Sequence, residues 1–151
     1  MPGVLAHSQA DIIRYLLIQL GLGGNPLTSP LPAWPIYAAD EPDVPDNCIT
    51  VYDTPGIKHC RVMPGGEVQE HHGFQVRIRA TSHPVGRTKA DAIKITIDQV
   101  VYQNLITVGS TSYRVHCLNR TTDVLSLGRE VPLARRSLFT VNGLASLRQV
   151  P

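Results

Sequence analysis

At 151 residues, with 42% hydrophobic and 17% charged side chains, the chain has the length and composition of one globular domain (1–151) that can bury about 68–70% of its unfolded surface. A net charge of +2 is too small to imply nucleic-acid binding from composition alone, and aromatics at 5% leave aliphatic side chains to fill the core. No run reaches the roughly 20 apolar residues of a membrane span, Met1-Pro2-Gly3 lacks the basic stretch of a signal peptide, and the irregularly spaced Cys48, Cys60 and Cys117 suit reduced thiols in a cytosolic setting rather than a disulfide framework.

A first helix is expected from Ser8, whose hydroxyl can cap the free N–H groups, with Asp11 three residues on. Ile12, Ile13, Leu16, Leu17 and Leu20 share one broad arc, while Tyr15, Ile18 and Leu22 fall on the opposite side. A helix apolar all round is usually buried on more than one side, so Tyr15, Ile18 and Leu22 are candidates for a second helix or a second subunit. Gly21, Gly23 and Gly24 end the helix. Residues 25–45 then carry six prolines (Pro26, Pro30, Pro32, Pro35, Pro42, Pro45), a density that forbids a helix and leaves room only for a short edge piece at Trp34–Ala38. Pro45-Asp46-Asn47 forms a turn into the β-branched and aromatic strand Asn47–Asp53, followed by a loop over Thr54–Gly73.

Phe74–Ala80 alternates cleanly. Phe74, Val76, Ile78 and Ala80 face the core, and Gln75, Arg77 and Arg79 face water or a partner. A second helix is expected from Thr88, with Ala90, Ile93, Ile97, Val100, Val101 and Leu105 as its buried stripe and Gly109-Ser110 as its stop. Strands Ser112–Leu118, Thr122–Leu127 and Leu138–Leu147 follow, the first two joined by a tight turn at Asn119-Arg120. The expected fold class is α+β, a mainly antiparallel sheet with two helices packed on one face.

No motif for chemistry stands out. His71-His72, with His59 and Cys60 upstream, is the one metal-like cluster, but adjacent histidines on an extended chain point in opposite directions. No nucleophile elbow is present, and Gly21-Leu22-Gly23-Gly24 follows a helix rather than opening one, so it lacks phosphate-loop context. No catalytic residue, metal or cofactor is therefore expected. An enzyme pairing Cys60 with His71 or His72 is the alternative from another class.

Charge layout says more. Asp40, Glu41, Asp43, Asp46 and Asp53 lie in a stretch with no basic residue, while Arg114, Arg120, Arg129, Arg135, Arg136 and Arg148 face only Asp123 and Glu130 in the last third. The simpler interpretation is two solvated loops. The sharper one is a molecule with an acidic and a basic side, suited to head-to-tail contact that closes into a ring. Arg129, Arg135 and Arg136, placed on a loop between the last two strands, then pair with Asp40, Glu41, Asp43 or Asp46 of a neighbouring subunit, or face DNA in the lumen.

In their order, Asp43-Val44-Pro45-Asp46-Asn47-Cys48-Ile49-Thr50-Val51-Tyr52-Asp53, Phe74-Gln75-Val76-Arg77-Ile78-Arg79 and Phe139-Thr140-Val141-Asn142 resemble segments of the tail-terminator and minor-capsid (tail completion) proteins of tailed bacteriophages. The resemblance runs from about Ala10 to Leu147, and departs from the family at Gly143, where a bulky residue would be typical, and in the long Pro-rich connection. It implies a structural virion protein assembled in the host cytoplasm. It also implies a homo-oligomeric, usually hexameric ring at the head–tail junction that caps the tail tube and meets the head connector. Another head–tail joining (neck) protein is the nearest alternative.

Overall fold

The computed structural model describes residues 5–58, 70–129 and 136–151. Its elements run α1 (Gln9–Gln19), β1 (Ile36–Ala38), β2 (Cys48–Lys58), β3 (Glu70–Ala80), α2 (His83–Gln99), β4 (Asn104–Val108), β5 (Thr111–Arg120), β6 (Leu125–Arg129) and β7 (Ser137–Val150). The described strands form one sheet in the order β1-β2-β3-β7-β5-β4, with β6 also on β7. Only β1 runs parallel to its neighbour.

α1 begins where its cap predicts. The Ser8 hydroxyl accepts the Asp11 N–H at 3.3 Å, and Asp53 reaches from β2 to accept the Ala10 N–H at 2.9 Å, so a strand supplies a second cap. Gly21 ends the helix at φ +79°, the left-handed turn that glycine takes most cheaply. Gly23 does a different job, since a Cβ there would fall 2.4 Å from the Trp34 carbonyl.

The expected α+β class stands, with both helices on one face of the sheet. Ile49 and Val51 of β2, Phe74, Val76 and Ile78 of β3, and Phe139 and Val141 of β7 line up across paired strands. They share one core with Ile12, Ile13, Leu16 and Leu17 of α1 and Ala90, Ile93 and Ile97 of α2. α1 touches β1 and β2 near one edge of the sheet and β4 at the other, which requires the sheet to curl around it. Phe74 lies over Gly143, where an added Cβ would meet the ring at 2.7 Å. That contact explains the small residue at this point of β7.

Four local expectations need correction. α2 starts after Ser82 rather than at Thr88, with Pro84 in its first turn, where a missing N–H costs nothing. It stops at Gln99, and Leu105 belongs to β4, which turns through Gly109 (φ +62°) into β5. That Gly-Ser pair is a two-residue hairpin loop, not a helix stop. Asn119-Arg120 is no hairpin turn either. Arg120 lies opposite Gly143 and Leu125 opposite Thr140, so β5 and β6 are one strand along β7, interrupted at Thr121–Val124. Lastly, β2 and β3 extend through much of the expected 54–73 loop, and a bulge between Thr54 and Ile57 accommodates Pro55 and Gly56.

Candidate assembly surface

The face of the sheet turned away from the helices carries Cys48, Thr50 and Tyr52 of β2, Gln75, Arg77 and Arg79 of β3, and Leu138, Thr140 and Asn142 of β7, by alternation from the core positions. Thr50, Arg79 and Thr140 are buried all the same, because residues 40–46 cross this face as a strap. Arg79, only 2% exposed, holds the strap by its backbone. Its Nη2 donates to the carbonyls of Pro45 at 2.6 Å and Asp43 at 3.2 Å, and its Nε to that of Asp46 at 3.3 Å. Arg136, 3% exposed, donates from Nη1 to the Asp43 carbonyl and from Nη2 to the Asp43 carboxylate at 3.1 Å, with the Asp46 carboxylate at 3.4 Å. A planar guanidinium with five donors suits this bridging of carbonyls and carboxylates; a lysine would not.

The Glu41 carboxylate, near the start of the strap, lies between two arginines, 3.4 Å from Arg77 Nε and 3.8 Å from Arg79 Nη1. Neither Glu41 Oε1 nor Arg77 Nε makes a hydrogen bond, so charge rather than directed bonding holds this group. Burial pushes the Cys48 thiol up to about 11, opposed by the nearby Arg79 charge, and burial also raises Tyr37 and Tyr52 above the usual phenol range. Cys48 is thus a packed thiol, far from a poised nucleophile.

The structure brings Glu41, Asp43, Asp46 and Arg136 together inside one chain. Arg136 lies in the connection just ahead of β7, as expected, but it is buried as a clamp, and Arg129 ends the exposed strand β6. Asp40 is exposed at the start of the strap. Arg135, like His59 and Cys60, lies outside the described residues. Leu22 is buried in the core, while Tyr15 and Ile18 pack against that core as half-buried side chains. Leu22, 8% exposed, therefore offers little surface to a neighbour. Arg14 covers part of this side, stacking 5.0 Å from the Tyr15 ring and donating to the Ile36 carbonyl at 2.7 Å.

Arg77 and Arg79 as clamp residues escaped sequence reasoning, which left their face to water or a partner. The available signal was the acidic run Asp40–Asp46 ahead of a strand whose neighbour carries arginines at alternate positions. His71 and His72 sit on β3, and no group of three or more His, Cys, Asp or Glu side chains gathers among the described residues. Among those residues, no helix is long and apolar enough to cross a membrane.

Residues 16–120 match the family model described as bacteriophage tail terminator protein. No curated protein matches the chain. One solved structure covers 93% of this chain and 96% of its own at 17% identity, with a TM-score of 0.46. The family match spans more than two thirds of the sequence and takes in the end of α1, β1 to β5, α2 and the strap. The chain belongs to the bacteriophage tail terminator family and is a structural protein of the phage tail.

Proposed function

We propose that the protein forms a closed ring, hexameric as the family resemblance implies, which caps the finished tail tube and presents a surface to the head connector. The observation that carries this is the family match over residues 16–120. Family membership also points to the virion as its place and to other tail and head proteins as its partners. The clamped strap supports the proposal, because a capping ring needs surfaces already fixed before contact, and fixing them lowers the ordering cost of binding. Asp40 and Arg129, both exposed, are the charged positions best placed for subunit contact or for lining a lumen through which DNA passes. Tyr15 and Ile18 keep a half-buried edge for such a contact.

The test is a capping assay. The purified protein is added to its tail tube protein during polymerisation, and tube lengths are measured by electron microscopy. A ring terminator added in less than stoichiometric amounts shortens the tubes and appears as density at one end. Tubes of unchanged length with bare ends would reject capping.

A further inference from the structure

Two surface features lie on opposite faces of the sheet. On the strap, Val44 is 70% exposed between Asp43, whose carboxylate is 85% exposed, and Asp46. Two buried arginines grip the backbone on either side of that valine. On the helix side, a groove of about 500 Å³ runs between α2 and Trp34, lined by Trp34, Pro84, Val85, Thr88, Lys89 and Ala92. The Lys89 ammonium stands 5.4 Å over the Trp34 ring. Burial lowers its pKa, and no carboxylate pairs with it among the described residues.

We propose that the strap of one copy of this chain docks in the groove of the next, Val44 entering between Trp34 and α2 with the Asp43 carboxylate against Lys89. The apolar walls accept the valine, and the half-desolvated ammonium meets the anion it lacks within its own chain. Because the strap and the groove lie on opposite faces, the contact is heterologous, the kind that repeats around a ring. The proposal rests on the self-association put forward above and names the surfaces that would carry it.

The test is a charge exchange followed by sedimentation equilibrium on the full chain. Lys89→Glu sets acid against acid and Val44→Lys sets cation against cation, and both positions are accessible enough to leave the fold intact, as circular dichroism would check. Each single variant is expected to weaken association by about tenfold or more, with the combined variant recovering most of the loss. Should Lys89→Glu misfold, Lys89→Gln is expected to weaken association by about threefold. Singles that assemble like the wild type would overturn the docking while leaving the ring intact. A combined variant that fails to recover would show that the two sites do not meet. A wild-type protein that stays monomeric at every concentration would remove the ring and this contact together.

Discussion

Replacing Arg79 with leucine should show how far the strap depends on one buried side chain. The guanidinium donates to three strap carbonyls, at 2.6, 3.2 and 3.3 Å, and lies 3.8 Å from a Glu41 carboxylate that is 13% exposed. Removing one member of a buried ion pair costs about 3–5 kcal/mol, because the remaining charge is left without its partner. Arg77, at 3.4 Å, still faces Glu41 and holds the loss below the sum of the separate contacts. Hydrogen bonds to a charged group contribute about 1.5–3 kcal/mol each, but the strap is at the surface and its carbonyls can turn to water, so these terms overlap rather than add. The expected destabilisation is about 3–5 kcal/mol. In urea unfolding it appears as a lower midpoint at unchanged slope, a drop of roughly 2 M for a slope near 2 kcal/mol/M. Adding Glu41→Gln to the leucine variant should recover part of the loss, since the orphaned charge is then gone. A loss below about 1 kcal/mol for Arg79→Leu would refute the clamp.

Other outcomes follow from particular contacts. Asp53→Ala removes the cross-strand cap on α1 and should cost about 1 kcal/mol in chemical denaturation, with α1 amides exchanging faster. Gly143→Val drives a side chain into the Phe74 ring and should cost about 1–3 kcal/mol, part of which Phe74→Leu in the same chain restores. Because the Cys48 thiol is raised from 9.0 to about 11 in the folded state, the unfolded chain loses its proton first. The contribution of Cys48 to stability is therefore fully present below pH 9 and is lost progressively as pH rises toward 11. Unfolding titrations should show this slope in the wild type and a shallower one in Cys48→Ala. Leu17→Ala, at a fully buried α1 position, should cost about 2–5 kcal/mol in the same experiment.

The elements that could be read from sequence were those whose signals are local. Ser8 with Asp11 marks the start of α1, the alternation from Phe74 to Ala80 marks β3, and Trp34–Ala38 contains the short edge strand β1. β4 was hidden because Val101 and Leu105 fit a helical stripe, although Leu105 turned out half-exposed. What ends the helix there is a turn in which Asn104 accepts the Tyr102 N–H at 2.9 Å and Gln103 takes φ +54°, chemistry that a periodicity count does not register. The continuity of β5 and β6 was also out of reach, since only the register against β7 reveals it. At the candidate assembly surface, the acidic run and the arginines were both visible in the sequence. Their pairing within one chain was not, because Arg79 and Arg136 meet Asp43 from 36 and 93 residues away. Clustered opposite charges suggest an interface equally well between chains and within one, and only the fold decides between them.

Native mass spectrometry of the purified protein across a concentration series tests the central claim most directly. A tail terminator that acts as a closed ring should give one discrete species at six times the subunit mass, with no ladder of intermediates, because a heterologous contact that closes leaves no free ends. A monomer at all concentrations, or an open-ended ladder of masses, would contradict the ring.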